Sequence, residues 1–173
     1  MKKEILEWVK TIIISLIIAL IITTFMKPTI VKHYSMQPTL DENDFLIINR
    51  LLYTRGTPAR GDIIVFESNQ MDNNGDQKLL IKRIIGLPGE EIEIRGGQVY
   101  INEEPLAEPY LEDDYTHGNI HQIIPENSLF VMGDHRNNSL DSRNEDLGLV
   151  DYQDIVGKAF IRLYPFSDIG IIE

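Results

Sequence analysis

Apolar and polar positions divide this chain into one unbroken hydrophobic stretch followed by many short ones. From Thr11 to Met26 sixteen residues pass without a charge, Thr11-Ile-Ile-Ile-Ser-Leu-Ile-Ile-Ala-Leu-Ile-Ile-Thr-Thr-Phe-Met26. As a helix they span about 24 Å, a little under a hydrocarbon core of about 30 Å. Counting from Trp8 gives about 28 Å, with Lys10 reaching back to the headgroups and Trp8 in the interface. A helix apolar on every side suits a bilayer better than a globular core. A cleaved secretory leader would have a shorter apolar run and a small-x-small site behind it. The following Thr-Thr-Phe-Met-Lys-Pro offers none. Residues 11–27 are therefore expected to form an uncleaved transmembrane anchor, with 1–10 a cytoplasmic tail and 28–173 one extracytoplasmic domain.

Beyond the anchor the pattern changes to short β-branched runs between Gly and Pro. Phe45–Tyr53, Asp62–Phe66, Leu79–Ile85, Ser128–Met132 and Lys158–Tyr164 read as strands. Glu91-Ile-Glu-Ile-Arg-Gly-Gly-Gln-Val-Tyr-Ile101 alternates around Gly96-Gly97 and predicts a hairpin. No convincing amphipathic helix lies between these runs, the polar stretch around 136–155 being the one place left for one. The expected fold is mainly β, an antiparallel sandwich or barrel-like domain behind one N-terminal transmembrane helix.

Charge adds direction. The chain of 173 residues carries a formal net charge of −11. In residues 1–27, Lys2, Lys3, Lys10 and Lys27 outnumber Glu4 and Glu7 by two, so the remainder stands at −13. Lysines before an apolar span place that end in the cytoplasm. The acidic domain argues against nucleic acid as a partner, because phosphate binding needs a basic stripe. With no cysteine there is no disulfide, thiolate metal site or cysteine nucleophile.

Most polar candidates are poor. His117 and His121 have the i, i+4 spacing of a helical metal pair, but Gly118 and Asn119 lie between them. Asp72-Asn-Asn-Gly-Asp76 faintly resembles a calcium loop, yet the position needing a bidentate glutamate falls on Arg83, and a hairpin turn fits better. The doublets Glu90-Glu91, Glu103-Glu104 and Asp113-Asp114 read as solvated faces. No cofactor and no metal is expected.

Two features are harder to dismiss. Lys82 sits in Leu79-Leu-Ile-Lys-Arg-Ile-Ile85, and strand alternation puts a cation on whichever face is buried. A buried lysine can lose its proton, whereas arginine cannot. Lowering its pKa from about 10.4 to about 8 costs roughly 3 kcal/mol and leaves a general base. The same residue on an edge strand would be an ordinary solvated lysine. Ser35, nine residues beyond Met26, lies within roughly 30 Å of the membrane end. It is either a nucleophile lacking the usual Gly-x-Ser-x-Gly elbow or a turn serine before Pro38.

Ser35-Met-Gln-Pro-Thr-Leu40, Gly61-Asp-Ile-Ile-Val-Phe66, Lys82-Arg-Ile-Ile-Gly-Leu-Pro-Gly-Glu90 and Gly133-Asp-His-Arg-Asn-Asn-Ser-Leu-Asp-Ser-Arg143 occur in this order. Together they closely resemble the signature boxes of bacterial type I signal peptidases, from the anchor to about Phe166. The resemblance implies a membrane-bound serine endopeptidase with a Ser–Lys dyad. Such an enzyme cuts signal peptides from exported preproteins after small residues in an Ala-x-Ala-like pattern, through an acyl-enzyme. It makes Ser35 the nucleophile and Lys82 the general base. Ser139 would hydrogen-bond and orient the lysine, and Asp141 with Arg143 would hold the region in shape. The Ser35 N–H would belong to the oxyanion hole, and Met36 would pack near the substrate pocket. The implied partners are the lipid bilayer and preproteins emerging from the secretion translocon. The length leaves no room for the large insertion of some diderm relatives, which points to a monoderm-like short form with a single anchor.

Two positions depart from that pattern. His135 stands where the family usually has Asn. His33 stands where relatives often carry a hydroxyl or glycine, which removes one oxyanion donor; strand alternation would put His33 beside Ser35 as a competing base. Readings from other classes are a catalytically dead, membrane-anchored β binding module, and a self-cleaving Ser–Lys protein of the LexA type. The latter would need a DNA-binding segment where the anchor lies.

Overall fold

The computed structural model describes residues 2–51, 53, 56–72, 74–113 and 115–172. An α-helix, α1 (Lys2–Phe25), is followed directly by a domain of short antiparallel strands. Within Lys3–Phe25 an 18-residue window reaches a mean hydropathy of 2.4, and the helix is long and apolar enough to cross a membrane. The helix starts well before Thr11 and stops at Phe25. Met26 and Lys27, expected to close the anchor, instead open the first strand. The junction is fixed by the Arg50 N–H, which donates to Phe25 O at 2.9 Å.

The larger sheet takes β1 (Met26–Ile30), β2 (Phe45–Asn49), β3 (Ile63–Met71), β4 (Gln77–Gly86), β9 (Ser128–Met132), β10 (Val150–Asp151), β11 (Ile155–Tyr164) and β12 (Gly170–Ile171). Its order is β1-β2-β11-β3-β4-β9-β10, with β12 beside β11. The smaller sheet takes β5 (Glu91–Arg95), β6 (Gln98–Ile101), β7 (Glu104–Pro105) and β8 (Ile120–Ile123), in the order β7-β6-β5-β8. The expected hairpin is the β5–β6 pair, and its turn uses Gly96 and Gly97 at φ of 59° and 87°, a conformation open to glycine at little cost.

The central strands are apolar at consecutive positions because the larger sheet is covered on both faces. Ile63 joins Met36, Leu40, Leu46 and Ala159 on one side, while Ile64 joins Phe66, Ile84, Val131 and Val150 on the other. A third cluster, from Ile85 and Ile92 to Phe130 and Met132, packs the smaller sheet against the end of β4 and β9. The polar stretch 136–155 forms turns, β10 and one short 3₁₀ segment, Tyr152–Asp154, in place of a longer helix. The expected strand Phe45–Tyr53 ends at Asn49, and Leu52 lies outside the described residues.

Candidate active site

Lys82 occupies the point where β4 changes neighbours. From Arg83 onward β4 pairs with β9, whereas Gln77–Ile81 have β3 on one side and, among the described residues, no strand on the other. Burial on both faces leaves Lys82 only 2% exposed, so it is not a solvated edge lysine. Its Nζ donates to Ser35 Oγ at 2.7 Å and to Ile81 O at 2.8 Å. Removal from water pushes the amine down to about 8. Asp141 and Asp134 pull toward the charged form without overcoming that, and Lys78 pushes the same way as burial.

Ser35 is presented by a turn, residues 33–40, which the flanking apolar residues hold down. Met36 and Leu40 are fully buried in the cluster with Leu46 and Ile63. Met36 is thus a core residue that does not itself line the space beside Ser35 but packs in the same cluster as Val31 and Ile81, which do. His33 has φ of 72°, so strand alternation does not relate it to Ser35. Its N–H donates to Glu42 Oε1 at 3.3 Å, and among the described residues its ring makes no hydrogen bond to Ser35. The Ser35 carbonyl accepts from the His135 N–H at 3.1 Å, while among the described residues nothing accepts from the Ser35 N–H. His135 meets the Ser35 turn through its backbone. Its Nδ1 is buried without a partner.

The fourth box wraps this turn. A Cβ on Gly133 would lie 2.2 Å from Ser139 Oγ and 2.3 Å from Ser35 O, so only glycine fits between them. Asp141, fully buried, accepts from the Gly133 N–H at 3.1 Å and from Arg143 Nε and Nη2, both at 2.8 Å. Arg143 Nη2 also donates to Arg136 O at 2.8 Å. Asp141 and Arg143 thus form one ion pair behind the Ser35 turn. Ser139 is expected to orient the lysine, but among the described residues its buried Oγ has no hydrogen-bond partner, and Lys82 is held by Ser35 and Ile81.

Sequence reasoning missed a second buried network. Arg83 donates to Asp134 through Nε at 2.9 Å and Nη2 at 2.8 Å, and to Gly61 O through Nη1 at 2.9 Å. Thr39 Oγ1 donates to Asp134 Oδ2 at 2.6 Å, and the Tyr110 ring lies 3.9 Å from the guanidinium carbon of Arg83. This joins the serine, lysine and fourth boxes. The signal was present: alternation puts Lys82 and Arg83 on opposite faces, and a sheet covered twice buries both. Arg136, likewise buried, donates to Glu108 and to Thr116.

The weaker candidates disperse. The His117 ring packs edge-on to Tyr115 at 4.7 Å, whereas His121 pairs with Glu91. Asp72 accepts from the Asn74 and Asp76 N–H groups in the β3–β4 turn, as a hairpin reading requires, with Asn73 outside the described residues. Glu90 is not a solvated charge: it is half-buried and ion-paired to Arg60. Asp114 lies outside the described residues.

Ser35 and Lys82 both line a slot of about 430 Å³. One wall is residues 29–33, the other residues 77–82, consecutively in both cases. A strand face would contribute alternate residues, so consecutive lining marks two strand edges facing across a gap. A β domain behind an apolar helix, with a serine hydroxyl against a buried lysine in such a slot, has the layout of a membrane-anchored serine peptidase. Residues 5–164 match the family described as signal peptidase, peptidase S26, and the chain belongs to that family. Signal peptidase I of Leptolyngbya laminosa is 42% identical over 171 residues, 95% of this chain and 82% of that protein. Signal peptidase I S of Bacillus subtilis (strain 168) is 40% identical over 181 residues, 96% of this chain and 93% of that one. The crystal structure of a signal peptidase I from Enterococcus faecalis V583 is 32% identical and covers 59% of this chain and 96% of its own, with a TM-score of 0.49. The chain is thus a serine protease of the signal peptidase I family, with an apolar N-terminal helix suited to anchoring it in a membrane.

Proposed function

We propose that this enzyme removes signal peptides from preproteins by acyl transfer, with Ser35 as nucleophile and Lys82 as general base. The observation that carries the reading is the 2.7 Å contact between Ser35 Oγ and a lysine amine held near pH 8 by burial. A neutral Lys82 donates to Ile81 O and accepts the Ser35 proton. Ser35 Oγ then attacks the scissile carbonyl, and the free Ser35 N–H stabilises the oxyanion. The lysine ammonium passes its proton to the leaving amine. Neutral again, it takes a proton from water, whose hydroxide releases the acyl group. Small residues before the cut, in an Ala-x-Ala-like pattern, suit a slot lined by the Ser35 turn.

The slot suits an extended peptide. Residues 29–33 and 77–82 both run toward the dyad, and the first of these walls begins four residues after α1 ends. A preprotein leaving the translocon with its signal segment in the bilayer and its N-terminus in the cytoplasm runs in the same direction. It adds a strand between the two free edges. With the lysines before α1 in the cytoplasm and residues 28–173 outside, enzyme and substrate share one membrane surface, which raises their effective concentration.

The test is cleavage of an Ala-x-Ala preprotein by the full chain in liposomes, with the cut located by intact mass. Loss of cleavage in both Ser35→Ala and Lys82→Ala is expected. If Lys82→Ala keeps its rate, the assignment of the base is wrong. A folded wild type that cuts none of several preproteins would leave the binding-module reading standing.

A further inference from the structure

The slot has a charge that the domain around it does not. Residues 28–173 are strongly acidic. Yet the slot is lined by Lys32 from one wall and Lys78 from the other, with Asp72 as the acid among its lining residues. The Asp72 carboxylate is committed to N–H groups of its own turn, at 2.8 Å from Asn74 and 3.1 Å from Asp76. Neither lysine has an ion-pair partner among the described residues, whereas Lys158, Arg60 and Arg162 on the same domain are all paired. Lys78 is half-buried, and its charge reaches Lys82, which it pushes toward the neutral form.

Both lysines precede the dyad on the lining of the slot: Lys78 is four residues before Lys82 on β4, and Lys32 comes just before the Ser35 turn on the opposite wall. An extended peptide advances about 3.3 Å per residue, as β4 does. A substrate running along β4 with its scissile carbonyl at Ser35 therefore passes Lys78 about four residues upstream of the cut, with Lys32 across the slot.

We infer that Lys32 and Lys78 form a charge-reading subsite, favouring an acidic residue and opposing a basic one at about the fourth position before the scissile bond. The inference rests on the Ser35–Lys82 reading and adds a specificity to it. A substrate carboxylate there gains the half-buried Lys78 and, more weakly, the exposed Lys32, and a substrate lysine meets repulsion from both. Anionic lipid headgroups are the competing occupant. The peptide is favoured because both lysines line the same slot as Ser35 and Lys82.

Three preproteins identical except for Glu, Gln or Lys at the fourth position before the cut would be compared, using full-length wild type, Lys78→Glu and Lys32→Glu/Lys78→Glu in phosphatidylcholine liposomes. Wild type is expected to cut the Glu substrate roughly fivefold more efficiently than the Lys substrate, mainly through KM, with the preference fading at high salt. Lys78→Glu should abolish the order and the double variant reverse it. Ratios between substrates within one enzyme cancel any change in Lys82 basicity. An unchanged order in all three enzymes overturns the inference. So does a loss in the variants that is equal for all three substrates and appears only when phosphatidylglycerol is present, which would give the lysines to headgroups. Failure of the dyad reading is separate, because Ser35→Ala would then still cut the Gln substrate.

Discussion

Arg83 and Asp134 form a two-pronged ion pair at 2.8 and 2.9 Å with side chains 3% and 0% exposed, and each is the chain neighbour of a residue that packs against Ser35, Lys82 in one case and Gly133 in the other. The pair is worth little relative to apolar replacement of both partners, but removing one strands the other charge in the core. Asp134→Leu is expected to cost about 3–5 kcal/mol in denaturant unfolding. Arg83→Met/Asp134→Leu should recover a large part of that. A double variant no more stable than the worse single one would show that the pair, and not its burial, supports the fold.

Gly133 holds the Ser35 turn in place by having no side chain. With Ser139 Oγ and Ser35 O both within 2.3 Å of where a Cβ would sit, Gly133→Ala must displace one of them. The Ser139 hydroxyl can rotate away, but its Cβ would stay at 2.7 Å and the Ser35 carbonyl is tied to the His135 N–H. Gly133→Ala is therefore expected to lower kcat by about 100-fold, the order associated with a 1 Å misplacement. Adding Ser139→Ala should not restore it. Rescue by Ser139→Ala in a preprotein cleavage assay would place the clash at Ser139 alone.

The unpartnered Ser139 hydroxyl gives a contrasting expectation. A buried hydroxyl with no hydrogen bond contributes nothing to offset its desolvation, so Ser139→Ala should leave stability unchanged or raise it by up to about 1 kcal/mol. A loss of more than 1 kcal/mol in urea unfolding would mean that Ser139 bonds to Lys82, as the family resemblance implies.

What the sequence revealed and concealed follows from how local each signal is. Ile63–Phe66 and Ser128–Met132 were legible as strands because unbroken β-branched and apolar runs need no tertiary information. Strand β1 was hidden because Lys27-Pro28 reads as the flank of an anchor. A proline is tolerated there because β1 is an edge strand. Ser35 and Lys82 were legible as members of ordered boxes, although nothing in either segment alone requires them to touch. The Arg83–Asp134–Thr39 network and the depth of Met36 depend on which faces the larger sheet covers, and periodicity along one strand does not carry that. Lys32 and Lys78 have no local signal at all, since their shared slot exists only once β1 and β4 face one another.

Lys82 should be costly to the fold and required for the rate, and the two effects respond to pH in related ways. Its pKa is about 8 when folded and 10.5 when unfolded, so between these values the unfolded chain binds more protons. Stability from this group therefore rises with pH across that window, and below about pH 8 the full penalty, of order 3 kcal/mol, is present. Lys82→Met removes the charge and keeps the stem, so it should stabilise the domain by about 1–3 kcal/mol at pH 7. That gain should shrink as pH approaches 10. For wild type, the same pKa requires kcat/KM to climb about tenfold per unit below pH 8 and then level off, because only the neutral amine accepts the Ser35 proton. Paired unfolding curves and a pH–rate profile on one preprotein measure both. A stability gain independent of pH, together with a rate that does not fall as pH drops below 8, would detach Lys82 from the base role.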